Sequence, residues 1–244
     1  MILKLLLCSL LSVSGFFNPS TRLQSGKTIT LMGKGPPLLF SSGIYGTIPK
    51  FVYNEFLNGL RKNFTIITID GFNPITYDDI DDVANTIKTD KLAYVSHSSF
   101  QPEILESPRI NTAVLFDPIS IPKVNFNGVE GYTIDLDYPL LIIKADKLYN
   151  AANPLPEWQN IEFNGEVNYE LYKDVGHPDI LDDNWANIAK RLGLWEMAEG
   201  KTMNFKEWKF DSKNSIPQIR KNYRKYAYIR VSEFINNNIN TNIK

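Results

Sequence analysis

The sequence predicts an α/β domain built on a mainly parallel sheet with helices on both faces, and three observations carry that expectation. Short apolar runs of strand length recur along the chain: Pro37–Ser42, Phe64–Ile69, Leu92–Ser96, Thr112–Phe116, Pro139–Ala145 and Tyr169–Tyr172. They read as near-continuous hydrophobic stretches, as strands buried on both faces do. Between the early ones lie segments with helical spacing, first Phe51, Val52, Phe56 and Leu60, then Asp78–Lys88. Strand and helix patterns in alternation are the signature of βαβ units. The third observation is size: 244 residues with 43% apolar content and 12% aromatics suffice for one sizeable core.

In chain order, residues 1–15 carry one lysine, a short apolar stretch and then small residues, the layout of a secretory signal peptide, too short to span a bilayer. Residues 16–27 combine hydroxyls and two bases with no acid, which is transit-peptide composition. Together they resemble the bipartite leader of proteins sent to plastids bounded by extra membranes; plain secretion is the alternative. Thr28–Met32 is expected as an edge strand, and the α/β domain as a whole spans 28–200. Asn63-Phe64-Thr65 matches a glycosylation sequon, but its asparagine opens an expected buried strand.

Charge is segregated along the chain although the net value is only −1. No acid precedes Glu55, 24 acids face 11 bases from Glu55 to Gly200, and 10 bases face 3 acids from Lys201 onward. The basic extension 201–244 places Ile216, Ile219, Tyr223, Tyr226 and Ala227 on one helical face. Two readings follow: a closing helix docked on the acidic body, or a helix touching a membrane surface through 215–235. No nucleic-acid reading motif accompanies the charge, so no nucleic-acid partner is expected. Cys8 is the only cysteine and lies in the leader, which removes disulfides, thiolate metal sites and thiol nucleophiles from the body.

The chemistry therefore turns on hydroxyls and two histidines, His97 and His177. In Leu92–Phe100 an apolar strand ends in Ser96-His97-Ser98-Ser99-Phe100. Set on the Gly-x-Ser-x-Gly pattern that holds a nucleophile on a strand-to-helix turn, Ser98 is the nucleophile, Ser96 takes the first glycine's place and Phe100 the second's. Phe100 is a departure, since a bulky side chain there crowds the turn or the oxyanion pocket, and the segment from Ser99 to Arg109, with Pro102 and Pro108, is short for the helix that should follow. The N–H of Ser99 is a candidate oxyanion donor, and the loop at Gly43 and Ile44 a second source. His97 is expected to be a plain turn residue, with an exposed neighbour of the serine as the alternative.

A second string, Val175-Gly176-His177-Pro178-Asp179-Ile180-Leu181-Asp182-Asp183, puts a histidine after the last strand. With Leu115-Phe116-Asp117-Pro118-Ile119 and the stretch from Asn153 to Phe163, it resembles the α/β-hydrolase superfamily, and more narrowly its chlorophyllase-like branch, over roughly Pro36–Trp195. The resemblance implies a three-layer α/β-hydrolase-like sandwich. It also implies a triad of Ser98, His177 and an acid, either Asp117 or Asp146, with Asp117 preferred because its local string is the more specific. The acid's role would be to hold the imidazole tautomer. Asp179, Asp182 and Asp183 are expected to cap the helix that follows them. The implied reaction is carboxylic ester hydrolysis with no metal or organic cofactor. About twenty residues separate Asp117 from Pro139, too few for a large cap. Aromatics at Tyr45, Phe72, Tyr149 and Trp158 then suggest a bulky hydrophobic ester or a pigment-like ligand. A catalytically inactive relative that binds an apolar ligand, or a protein or membrane partner, is the alternative.

Overall fold

Alternation along each central strand sorts its side chains into two cores, one on either face of a single sheet. The computed structural model describes residues 20–46, 48–70, 75–99, 101–119, 124–125, 128–129, 132–145, 161–186 and 217–239. The strands are β1 (Ser20–Arg22), β2 (Thr28–Met32), β3 (Pro37–Ser41), β4 (Thr65–Asp70), β5 (Leu92–Ser99), β6 (Ile110–Ile119), β7 (Val124–Asn125), β8 (Gly128–Val129), β9 (Tyr132–Asp135), β10 (Leu140–Ala145), β11 (Ile161–Asn164) and β12 (Val167–Tyr172). Eight form the main sheet in the order β1-β2-β4-β3-β5-β6-β10-β12. Pairing is parallel from β4 to β12 and antiparallel at β1–β2 and β2–β4.

On one face Leu38, Phe40, Ile66, Ala93, Val95, Val114, Phe116, Leu141 and Ile143 pack under α1 (Asn54–Leu60) and the long helix α3 (Pro217–Ile239). On the other, Leu39, Ile67, Tyr94, Leu115 and Ile142 meet α2 (Tyr77–Ile87), the 3-10 turn Pro102–Glu106, and residues Ile134 and Leu136. The result is a three-layer sandwich. Between β6 and β10 the described residues form only short strands: β7 pairs with β8, and β9 with β11.

Thr28–Met32 is not the edge. β1 lies outside it, so Ser20–Arg22, within the stretch of transit-like composition, belongs to the sheet. The turn after it is seated by Asp82, whose carboxylate accepts the N–H groups of Gln24 and Ser25 at 3.1 and 2.8 Å. Helix α2 starts where expected because the Asp79 carboxylate accepts both the N–H and the hydroxyl of Thr76. It ends at Lys88, in the left-handed conformation at φ 58°.

The basic C-terminal helix is docked. Tyr223, Ala227, Val231, Phe234 and Ile235 are buried in the first core, so the apolar face proposed for a membrane surface is turned inward. Close approach to α1 depends on Gly59, where a Cβ would stand 2.3 Å from the Tyr228 ring. Arg224, almost fully buried, reaches Glu55 at 2.7 Å and Asp183 at 3.0 Å, and Arg220 shares Asp183 at 3.0 Å. The acids after His177 therefore do not all cap their own helix: Asp183 pairs with α3, and Asp182 accepts the N–H of Glu55 on α1 at 2.9 Å.

Candidate active site

The site gathers at the carboxyl ends of β5 and β6, where ligands of open parallel sheets bind. Ser98 stands near the end of β5 with φ 66°, and Asp117 stands on the neighbouring β6 with φ 41°. Positive φ is uncommon for residues other than glycine, and such strained positions cluster at functional sites. The β5–β6 register shifts between His97 and Ser99, at the serine itself. Ser98 thus has the left-handed conformation expected of a nucleophile elbow, although among the described residues only the 3-10 turn Pro102–Glu106 follows it before β6. Ser96, in the place of the first glycine, is fully buried and pairs in register with Ser41 of β3.

His177 arrives from beyond β12, at the start of the 3-10 turn His177–Ile180. Its Nδ1 lies 3.7 Å from Oδ2 of Asp117, closer than an unrelated pair yet longer than a hydrogen bond. Neither atom has a hydrogen-bond partner among the described residues, while Asp117 Oδ1 is held by the N–H of Ala145 at 2.6 Å. The structure therefore brings Asp117 to His177. Asp146, the competing acid, lies outside the described residues, as do Phe100, Phe72, Tyr149 and Trp158.

His97 is neither a plain turn residue nor an exposed one. It is 3% exposed, with its Nδ1 2.8 Å from the Tyr53 hydroxyl and its Nε2 3.0 Å from the carbonyl of His177. A carbonyl can only accept, so Nε2 carries the proton and Nδ1 accepts from Tyr53. The Tyr53 oxygen in turn accepts the N–H of Gly43 at 2.9 Å. Burial holds the His97 pKa well below its ordinary value, aided by the charge of His177, and burial pushes the Tyr53 phenol up. Both stay neutral, as the chain of bonds requires.

This chain from Gly43 through Tyr53 and His97 to His177 corrects one expectation. The Gly43 N–H is already engaged and is not a free oxyanion donor, which leaves the backbone amides of Ile44 and Ser99 as the candidates. The sequence carried a signal for Tyr53 only as one more aromatic in an amphipathic segment. The rings of His97 and His177 also stack, with centroids 4.5 Å apart and planes 27° from parallel.

One ligand-capable atom each from His97, Asp117 and His177 lies within 4.8 Å of the others. For a metal ion the set is poor, because both His97 nitrogens are committed to Tyr53 and to the His177 carbonyl. Two ligands would remain.

No protein-family model matches the chain, and no curated protein matches its sequence. Solved structures do. One described as novel epoxide hydrolases belonging to the α/β-hydrolase superfamily, in metagenomes from hot environments, aligns with a TM-score of 0.50 at 12% identity, covering 78% of this chain and 100% of that one. The fold is that of the α/β-hydrolases. An α/β superfamily hydrolase from Oenococcus oeni PSU-1 aligns at 0.46 and 14% identity over 75% of this chain and 100% of its own. At such identities the likeness is one of fold, and the chemistry has to be argued from the residues.

Proposed function

We propose that the protein is a serine hydrolase of carboxylic esters, with Ser98 as nucleophile, His177 as general base and Asp117 as the acid behind it. The observation that carries this reading is the left-handed conformation of Ser98 at the end of β5, beside an Asp117 carboxylate that faces Nδ1 of His177. With Nδ1 turned to Asp117, Nε2 is the nitrogen left to take the serine proton. The Ser98 oxygen then bonds to the ester carbonyl carbon, and the backbone amides of Ile44 and Ser99 receive the developing oxyanion. His177 returns the proton to the departing alcohol, and water, activated by the same imidazole, releases the acid and frees Ser98. The 3.7 Å gap closes on binding, as catalytic hydrogen bonds often tighten only in the substrate complex.

The resemblance of the strings around Asp117 and His177 to the chlorophyllase-like branch supports a hydrophobic ester as the substrate. A second reading, an inactive relative that keeps the cleft for binding, draws on the engaged Gly43 amide and the missing helix after the elbow. A fluorophosphonate probe separates them. Labelling lost in both Ser98→Ala and His177→Ala supports the hydrolase; no labelling of the unaltered protein overturns it.

A further inference from the structure

One pattern in the sequence is left unused by the chemistry of Ser98 and His177. Asn63-Phe64-Thr65 is the only Asn-x-Ser/Thr tripeptide in the chain whose middle residue is not proline; Asn18-Pro19-Ser20 is ruled out by Pro19. Its asparagine, expected at the start of a buried strand, lies elsewhere. β4 begins only at Thr65, and Asn63 closes the exposed turn 61–63 that joins α1 to β4.

Three features of this turn suit a sugar on Nδ2 of Asn63. The first is that backbone alone holds it: the N–H groups of Asn63 and Phe64 donate to the carbonyl of Leu60 at 3.0 and 3.1 Å, and that of Thr65 to the carbonyl of Pro36 at 3.0 Å. Phe64, fully buried, pins the turn to the first core. The second is that the Asn63 side chain is not used by the fold, since among the described residues its amide has no hydrogen-bond partner. The third is position. β4 runs parallel to β3, and β3 to β5, so the start of β4 is at the opposite end of the sheet from Ser98. At a rise of about 3.3 Å per residue, the length of β4 puts about 20 Å between them, and a bulky, hydrated group there leaves the candidate active site open.

We infer that Asn63 carries an N-linked oligosaccharide, added as the chain enters the secretory route. The inference rests on the secretory leader expected at residues 1–15 and is independent of the hydrolase reading. Transfer joins Nδ2 of Asn63 to the anomeric carbon of the N-acetylglucosamine that heads a lipid-diphosphate-linked oligosaccharide. The bond from that carbon to the diphosphate oxygen breaks, the lipid diphosphate leaves with the electron pair, and one amide proton passes to solvent. The Thr65 hydroxyl, the group that makes the tripeptide an acceptor, donates to the carbonyl of Gly35 at 2.9 Å in the folded chain. Transfer therefore precedes the pairing of β4, and the fold has only to accommodate the product.

The test translates the full chain, residues 1–15 included, with endoplasmic-reticulum microsomes that supply the oligosaccharide donor. Expected is a single shift to lower mobility, confined to protease-protected chain and reversed by a peptide N-glycosidase that leaves an aspartate in place of Asn63. Asn63→Gln and Thr65→Ala should abolish the shift, and Thr65→Ser, which keeps the hydroxyl, should retain it. Protected chain without the shift, or a shift that survives Asn63→Gln, overturns the inference. If the chain is not protected, residues 1–15 are replaced by a working signal peptide: a shift then supports Asn63 as the acceptor and sinks the leader reading, and no shift overturns both.

Discussion

The two histidines stack ring on ring, yet one is all structure and the other is left with something to do. His97 is buried, and each of its nitrogens has a partner, one on a side chain 44 residues away and one on a backbone 80 residues away. His177 has a partly exposed ring whose Nδ1 faces an aspartate without touching it. What holds His177 is its backbone. His97 bonds its carbonyl, Asp179 accepts the N–H of Gly176 at 2.9 Å, and Arg224 on α3 donates to the carbonyls of Asp179 and Leu181 at 3.4 and 2.9 Å. A loop held by its backbone, with an imidazole nitrogen that has no partner among the described residues, suits the general base proposed above.

The largest effect should come from breaking the uncommitted member. His177→Ala should lower ester turnover by at least about 10⁴-fold, read as kcat on p-nitrophenyl hexanoate, because a triad without its base falls to what binding and the oxyanion site supply. Asp117→Asn should follow at about 10³-fold or more, through a wrongly held tautomer, with the thermal midpoint changed far less than the rate. A fall of less than tenfold in Asp117→Asn would move the acid's role elsewhere, with Asp146 the residue to test next.

Breaking the scaffold should look different. Arg224→Ala strips the loop of its anchor and leaves the carbonyl of Leu181 short of a donor, at a cost of about 2 to 3 kcal/mol in urea unfolding. Turnover should fall with it, since the loop that presents His177 loosens. His97→Phe keeps the ring volume and removes both hydrogen bonds. It should cost about 2 kcal/mol in stability, with residual activity well above that of His177→Ala.

The smallest effect sharpens the contrast through pH. The folded pKa of His97 is depressed, by burial first and then by the charge of His177, with Tyr53 and Asp117 the other titratable groups of its cluster. Its contribution to stability is then complete above about pH 6.5, the ordinary imidazole value. It is lost as the pH falls below that value, because the unfolded chain takes up a proton that the fold refuses, with a slope of at most about 1.4 kcal/mol per pH unit. His97→Gln should flatten this part of the stability profile between pH 6.5 and 5. An unchanged slope in that variant would show that the fold does not exclude the proton.

Local pattern carried much of this. Runs such as Phe64–Ile69 and Leu92–Ser96 are legible as strands because their apolar character depends on neighbours a few residues away, and the observed β4 and β5 cover them. The brief β1, β7 and β8 strands have too few residues to show a period, which is why Thr28–Met32 looked like an edge. In the same way Ser98 and His177 are legible as polar residues at strand ends, and the role proposed for them rests on that placement. His97 was misjudged for the opposite reason: a histidine at a strand end looks like a plain turn residue until Tyr53 and the His177 loop close over it.

By itself, then, the sequence determined the α/β alternation, the serine after one strand, the histidine after another, and a basic amphipathic helix at the end. Only the tertiary structure decided how these are used: that Asp117 faces His177, that Tyr53 consumes the Gly43 amide, and that α3 clamps the histidine loop. Those outcomes rest on bonds such as Asp182 to Glu55 and Arg224 to Glu55, which join residues 127 and 169 positions apart. Periodicity is a short-range property, whereas the choice of partner for a buried polar group is settled by which groups the folded chain leaves unpaired nearby.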